Sequence, residues 1–211
     1  MSQKTDKIFQ VLDQMFPNAH VELNHQNTFE LIVAVVLSAQ TTDVAVNLVT
    51  PTLFKRYPNP KSLSEANIND VEQILKTIGL YRNKAKNIIA LAYDIHHKYH
   101  DEVPNERTKL EALPGVGRKT ANVVLSNAFN IPALAVDTHV ARVSIRLKLA
   151  SKDDSVLEIE HKLMKKFPKN VWTKLHHQLI FFGRYHCLAR APKCKKCPLY
   201  ELCGYEKKTT N

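Results

Sequence analysis

The sequence predicts an all-helical protein, and three observations lead to that prediction. Apolar residues recur at spacings of three and four along most of the chain, which is the period of a helix with one buried face. No segment shows the alternating pattern of a half-buried strand. Only 5 of the 211 residues are glycine, too few for the many tight turns of a β-rich chain. The length suits one or two small domains with real cores.

The apolar stripes and their end signals place the helices. We expect helices at about 8–16, 29–37, 43–51, 69–79, 85–99, 105–113, 117–128, 137–147, 155–167 and 172–183. The segment 29–37 is apolar on all sides, which predicts a central helix. Thr28, Asp43 and Asn69 stand at the N-cap positions of their stripes. Pro51 is expected to kink or end its helix.

A tight glycine turn joins two helices in the middle of the chain, where residues 113–119 read LPGVGRK. Pro114 and Gly115 end the first helix, and the second begins near Gly117. The backbone N–H groups at the start of that second helix, together with its dipole, suit a phosphate group. Gly115 and Gly117 permit positive φ and a close approach of another backbone.

Lys119 and Asp137 are the candidate catalytic residues. Lys119 lies in the first turn of the second hairpin helix, away from its apolar stripe, and the helix dipole there opposes a positive charge. An isolated lysine at such a position is usually an ordinary surface residue. Asp137 begins the next helix, where simple N-capping is the preferred reading of an aspartate taken alone. Because Lys119 and then Asp137 follow a turn suited to a phosphate, we favour a chemical role for both.

Composition and charge narrow the class of partner. The chain carries a formal net charge of +10 and has a pI near 9.4, which favours a polyanionic partner. No apolar leader follows Met1, and no apolar run reaches the length of about 18 residues that a membrane helix needs. We therefore expect a soluble, cytoplasmic protein without membrane contact.

The four cysteines of the chain lie within 17 residues and are spaced C-x6-C-x2-C-x5-C; they are Cys187, Cys194, Cys197 and Cys203. Disulfides are one reading, but nothing marks the chain as secreted. Zinc is a second, although structural zinc sites usually separate two close cysteine pairs more widely. Crowded thiolates also suit a [4Fe–4S] cluster, which the spacing favours modestly over zinc. Lys193 and Lys196 lie between the cysteines and would offset thiolate charge or bind phosphates.

Three motifs together resemble the helix–hairpin–helix DNA glycosylases: LPGVGRK at 113–119, VDTH at 136–139 and the terminal cysteine pattern. The segments LSAQTTD at 37–43 and TIGLY at 77–81 resemble one branch of that family closely, the branch that acts on oxidised pyrimidines. The resemblance covers essentially the whole chain.

The resemblance implies two helical domains with duplex DNA in the cleft between them. One is a six-helix barrel at about 21–131, with the helix–hairpin–helix motif at about 107–129. The other is an iron–sulfur cluster domain made of 1–20 and 132–211. The implied protein is a nucleoid-associated monomer. It removes oxidised pyrimidines from duplex DNA and then cleaves the strand 3′ to the abasic site.

The resemblance also implies the role of each site residue. Lys119 would attack the sugar as the nucleophile, and Asp137 would assist it. Gln40 and Leu80 would fill the space left by the extruded base. Further DNA contacts would come from Gly115, Val116, Gly117, His139, Lys193 and Lys196. The four cysteines would hold the [4Fe–4S] cluster.

Two alternatives stay open from the sequence. A monofunctional glycosylase of the adenine type is similar but lacks the lysine nucleophile, and it usually carries a further C-terminal domain. Only eight residues follow Cys203 here, so we expect no such domain. A non-catalytic DNA-binding module with a structural zinc is the second alternative, and it would make Lys119 and Asp137 coincidental.

Overall fold

The computed structural model describes residues 2–208, and every regular element within them is helical. The predicted all-helical fold class is confirmed. The α-helices are α1 (Gln3–Met15), α2 (Thr28–Leu37), α3 (Asp43–Arg56), α4 (Pro60–Ser64), α5 (Ile68–Leu75), α6 (Tyr81–Tyr99), α7 (Arg107–Glu111), α8 (Arg118–Ala128), α9 (Thr138–Arg146), α10 (Val156–Lys166) and α11 (Trp172–Phe181). Short 3-10 turns lie at Lys169–Val171 and Cys194–Lys196.

The chain divides into two compact units. The continuous unit comprises 22–131, and the discontinuous unit comprises 1–21 with 132–211. Lys119, Gln40 and Leu80 belong to the continuous unit, whereas Asp137 and the cysteines belong to the discontinuous one.

Helix α2 is the centre of the continuous unit. Residues 29–37 are all buried, and α2 packs against α3, α6 and α8. Helix α6 in turn packs against α4 and α5. The prediction of a central apolar helix is therefore confirmed. Its nonpolar surface is removed from water on every side, which is the main free-energy gain available to this unit.

The discontinuous unit joins the N-terminal helix to the C-terminal half of the chain. Helix α1 packs against α11, and the Asp13 carboxylate on α1 receives hydrogen bonds from Lys174 and, at 2.8 Å, from Gln178 Nε2. The core is apolar and includes Ile8, Leu12, Leu134, Val140, Val143, Leu163, Leu175, Leu179 and Phe182. The core thus includes α1, although more than a hundred residues of the chain separate α1 from α9, the next helix of this unit.

Three predicted N-caps are wrong by one or two residues. The α2 cap is Asn27, whose Oδ1 accepts from the Glu30 N–H at 2.9 Å, so Thr28 is already helical. Similarly, Thr42 and Asn67 cap α3 and α5 in place of Asp43 and Asn69. In each case a Thr or Asn residue one or two positions before the predicted cap takes its place, and side chains of these types cap well.

One predicted helix end, at Gly183, is wrong, and of the two outcomes expected at Pro51, a kink or a helix end, the helix end is wrong as well. Helix α3 continues through Pro51 to Arg56, because Pro51 lies on the exposed face of the helix. Helix α11 ends at Phe181 and passes directly into a π-helical turn at Phe182–His186, which contains Gly183. A Cβ atom at Gly183 would lie 2.8 Å from Cβ of His139, so a larger residue would push this turn away from α9.

Candidate active site

The hairpin between α7 and α8 is built on one left-handed glycine. Gly115 has φ of +78°, and the turn is closed by the Val116 N–H, which donates to the Leu113 carbonyl at 3.1 Å. A Cβ atom at Gly115 would lie 3.1 Å from both Asn87 Cβ and Val36 Cγ1. Gly115 is therefore required by its backbone conformation and by its contact with α6 and α2.

The start of α8 is exposed and carries no side-chain cap. Gly117 is the N-cap with φ of −97°, so it does not use the positive φ that a glycine permits. Nothing lies within 4 Å of a Cβ atom built at Gly117. This space in front of an uncapped helix N-terminus is where an anion is stabilised by N–H groups and the helix dipole. The hairpin thus has the geometry expected of a phosphate site.

Lys119 and Val116 differ in what they present to a ligand. Lys119 is exposed in the first turn of α8, as the sequence predicts. The Val116 side chain is buried, with 6 % of its surface exposed, and its N–H is used within the turn. Val116 would therefore support a DNA contact through the shape of the turn, whereas Lys119 is accessible for chemistry.

Asp137 caps α9, and the cap uses only half of its carboxylate. Oδ1 accepts from the N–H groups of His139 and Val140, both at 2.8 Å. The predicted N-cap is confirmed. Neither bond involves Oδ2, and the side chain is half-buried. A carboxylate fixed in this way has a defined orientation, which a catalytic role also requires.

His139 and Arg142 connect the start of α9 to the π-helical turn. The Arg142 guanidinium donates to the carbonyls of Gly183 at 2.8 Å and Cys187 at 3.2 Å. Its Nη2 atom lies 3.2 Å from His139 Nδ1. Burial lowers the pKa of His139, and Arg142 acts in the same direction. The nearby Asp137 carboxylate raises the pKa of His139 but does not outweigh burial, so the net shift favours the neutral ring.

Gln40 and Leu80 share an uncommon backbone conformation. Both are exposed at the tips of turns, and both are left-handed, with φ of 53° and 59°. A non-glycine residue in this region costs about 1–2 kcal/mol, so each turn must be held by its surroundings. The Leu80 side chain is 57 % exposed. A large apolar side chain held out to solvent at such a cost suits the predicted role of a wedge.

The four cysteine side chains line one cavity, which fits the expectation that they bind a single group. None of them is in a disulfide. Burial raises the pKa of Cys187 and of Cys197, so their thiolates need a cation nearby. Arg146 Nη1 lies 3.3 Å from Cys187 Sγ, and the Tyr205 N–H donates to Cys203 Sγ at 3.4 Å. These donors would stabilise sulfur ligands that carry negative charge.

Arg146 holds the start of the cysteine loop in place through hydrogen bonds, which the sequence alone does not predict. This arginine is 8 % exposed, and its guanidinium also donates to the carbonyls of Leu188 at 2.7 Å and Ala189 at 3.2 Å. The ring of Tyr205 stacks on it with 3.9 Å between the guanidinium carbon and the ring centroid. Lys193 and Lys196, in contrast, are exposed on the loop.

No helix within 2–208 is long and apolar enough to cross a membrane.

The fold and these motifs define a family. Residues 33–169 match the HhH-GPD superfamily of base excision DNA repair proteins, and the chain belongs to that family. Curated relatives include Endonuclease III of Bacillus subtilis, which is 57 % identical over 192 residues, 91 % of this chain and 88 % of that protein. Endonuclease III of Escherichia coli is 46 % identical over 91 % of this chain and 90 % of its own length.

Solved structures agree with these relatives. The chain is similar to a trapped covalent intermediate of Endonuclease III with DNA, with 54 % identity, a TM-score of 0.91 and 97 % coverage of both chains. It is also similar to a non-covalent Endonuclease III–DNA complex, with 53 % identity, a TM-score of 0.92 and coverage of 97 % of this chain and 96 % of that one. A thermostable thymine-DNA glycosylase, 22 % identical with a TM-score of 0.87, shares the fold.

Proposed function

We propose that this protein is a bifunctional DNA glycosylase and abasic-site lyase that removes oxidised pyrimidines from duplex DNA. One observation supports this most strongly. Lys119 is an exposed amine in the first turn of α8, beside a glycine turn suited to a phosphate. A relative with 54 % identity has been trapped as a covalent intermediate with DNA. A lysine beside a phosphate site is the group that such a linkage requires.

Lys119 starts the reaction as a neutral amine. Its nitrogen attacks the sugar C1′, the C1′–N bond to the base breaks, and the base leaves with the electron pair and takes up a proton. The C1′–O4′ bond then breaks and O4′ takes up a proton, which opens the sugar ring and leaves an iminium ion between the lysine nitrogen and C1′.

The same iminium ion drives strand cleavage. It acidifies the proton at C2′, and loss of that proton expels the phosphate from C3′ by β-elimination. Water then hydrolyses the imine, which releases an unsaturated aldehyde sugar and restores the Lys119 amine. One nucleophile therefore accounts for both base removal and cleavage 3′ to the abasic site.

Asp137 assists the first step in this proposal. The α9 cap fixes Oδ1, and the carboxylate would take a proton from the Lys119 ammonium, which gives the neutral amine, or stabilise positive charge developing on the sugar. His139 would approach DNA at the same helix start, where burial lowers its pKa and so disfavours a positive charge on the ring.

DNA binding would use both backbone and side-chain groups. Gly115 and Gly117 shape the hairpin around one phosphate, and Lys193 and Lys196 would add sequence-independent contacts from the cysteine loop. The base must leave the stack before reaction, and we propose that Gln40 and Leu80 fill the vacated space. The segments 21–131 and 1–20 with 132–211 would act as the barrel and cluster domains.

We also propose that the four cysteines hold a [4Fe–4S] cluster. All four line one cavity, which disfavours the disulfide reading. Four cysteines crowded into 17 residues suit a [4Fe–4S] cluster better than the two separated cysteine pairs of a structural zinc site. When bound, such a cluster would cross-link the loop 187–203 through four metal–sulfur bonds.

Borohydride trapping tests the proposal. Reduction of the imine should link the wild-type protein covalently to duplex DNA that contains thymine glycol or an abasic site. Lys119→Gln should bind the same DNA and form no adduct, because an amide nitrogen cannot form the imine. Base removal without any trapped adduct in the wild type would indicate the monofunctional alternative. Undiminished trapping by Lys119→Gln would remove Lys119 from the mechanism.

A further inference from the structure

Lys84 is a buried lysine in the first turn of α6. Only 4 % of its surface is exposed, and its Nζ atom donates to the Thr41 hydroxyl at 2.5 Å. Burial lowers its pKa, and among residues 2–208 it forms no ion pair with a carboxylate. Lysine is almost never fully buried without a charged partner, so the free-energy cost of this arrangement requires an explanation.

The two ends of Lys84 are bonded to two different turns. Its backbone N–H donates to the Leu80 carbonyl at 3.0 Å, which is the first hydrogen bond of α6. Its ammonium reaches Thr41, the residue that follows Gln40. The turn around Gln40 is itself closed by the Thr41 N–H, which donates to the Ser38 carbonyl at 3.1 Å. Lys84 therefore links the Gln40 turn to the Leu80 turn.

Both turns need such support. Gln40 and Leu80 are exposed, left-handed and not glycine, so local sequence preference does not hold either backbone in place. Conformations of this kind persist where the surrounding structure fixes them, and they are frequent at functional sites. The Leu80 turn has no side-chain cap of its own. The Lys84–Thr41 hydrogen bond supplies a contact between the two turns.

We propose that Lys84 is a positioning residue for base extrusion, which sets the spacing between Gln40 and Leu80 through its bond to Thr41. This inference rests on the proposed function, in which these two side chains fill the space of an extruded base. Two side chains from separate turns can occupy one vacated space only if the turns are held in register. Lys84 is buried and bonded to both turns, so it does not itself need to contact DNA.

A pair of substrates separates this role from general stability. Duplex DNA with thymine glycol requires extrusion, whereas a single-stranded abasic site offers no stack to fill. Lys84→Met keeps the length and apolar body of the side chain and removes the hydrogen bond. Thr41→Val removes the acceptor, and Thr41→Ser retains it. Lys86→Met, an exposed lysine on the same helix, is the matched control for loss of charge.

We expect Lys84→Met and Thr41→Val each to slow single-turnover base removal from the duplex about tenfold, since small misplacements are costly to catalysis. Cleavage of the single-stranded abasic site should change less than about twofold, because that substrate has no stack to fill and does not need the two side chains to be positioned. The double variant should resemble either single variant, because both remove one bond. Thr41→Ser and Lys86→Met should behave as wild type.

Fluorescence gives a readout that a purely structural role would not change. A 2-aminopurine beside the lesion should brighten less on binding to Lys84→Met than to wild type, in a Lys119→Gln background that prevents reaction. Equal losses on both substrates, or an unchanged fluorescence rise, would overturn the inference. Thr41→Val gives the same test if Lys84→Met does not fold. A wild-type protein inactive on both substrates would instead contradict the proposed function.

Discussion

Arg146 Nη1 lies 3.3 Å from Cys187 Sγ, and the same guanidinium donates to the carbonyls of Leu188 and Ala189. One buried arginine of α9 thus holds the first residues of the cysteine loop, 187–189, in place. The Gly204 N–H donates to the Arg146 carbonyl at 2.7 Å, so the same residue also holds the far end of the loop. Arg146 therefore contacts both ends of the cysteine loop, the start through its side chain and the end through its backbone carbonyl.

Arg146→Met should destabilise the discontinuous unit. It leaves several part-buried acceptors of the loop without this donor and removes the packing against Tyr205, so we expect the free energy of unfolding to fall by about 1–3 kcal/mol. Iron content after purification should fall as well, since the loop would be less ordered before metal binding. Urea unfolding and iron analysis measure the two effects. Arg190→Met, an exposed arginine of the same loop, should change neither quantity.

Gly115 and Gly117 should separate folding from DNA binding. Gly115→Ala forces a side chain into the left-handed region and against Asn87 and Val36, so we expect a loss of about 1–3 kcal/mol of stability. Gly117→Ala meets open space at an ordinary φ, and should cost less than about 1 kcal/mol as a change of N-cap.

Gly117→Ala should weaken DNA binding even though it changes stability little. Its added methyl group would occupy the space in front of α8 where a phosphate is proposed to lie. We therefore expect Gly117→Ala to retain its melting temperature and to bind abasic DNA more weakly. Calorimetric melting and fluorescence anisotropy are the measurements. Unchanged affinity would show that no phosphate approaches this helix start.

Lys193 and Lys196 should contribute charge without chemistry. Both are exposed on the cysteine loop. If each meets a phosphate, changing both to glutamine should reduce the slope of log binding constant against log salt by about two. The rate of base removal at saturating protein should stay near wild type. Binding titrations across salt concentrations are the test, and an unchanged slope would assign these charges to the cysteine loop alone.

Helix periodicity was enough to predict the fold class, but not where several helices begin or end. Asn67 caps α5 two residues before the predicted Asn69, because neighbouring residues of the same capping type compete and the buried face decides between them. Pro51 did not end α3, since its exposed position lets the helix accommodate the ring. Propensity rules describe an isolated helix, and tertiary packing overrides them.

Candidate site residues with special chemistry were easier to single out in the sequence than the residues that position them. Lys119, Asp137 and the cysteines stand out by type and spacing. The left-handed φ of Gln40 and Leu80 carries no sequence signal, because neither is glycine. Lys84 and Arg146 look like surface residues in the sequence, and only packing shows that they are buried. Long-range hydrogen bonds of this kind have no local pattern.

Substitutions of Asp137 can distinguish its role as a helix cap from a role in catalysis. Its cap on α9 uses only Oδ1, which accepts from His139 and Val140. Asp137→Ala would remove this cap and cost about 0.5–2 kcal/mol, so reduced activity in that variant would be ambiguous. Asp137→Asn keeps an oxygen in the same place, since the amide carbonyl accepts the same two bonds and asparagine caps about as well as aspartate.

If Asp137 only caps the helix, Asp137→Asn should match wild type in both melting temperature and turnover. If the carboxylate assists Lys119 or stabilises charge on the sugar, melting should barely change while single-turnover base removal falls about 10²-fold or more. We expect the second result, with affinity for lesion DNA retained, because the amide is uncharged and is a far weaker proton acceptor. A stable Asp137→Asn protein with normal turnover would leave Asp137 as a cap alone, and Lys119 would need another partner.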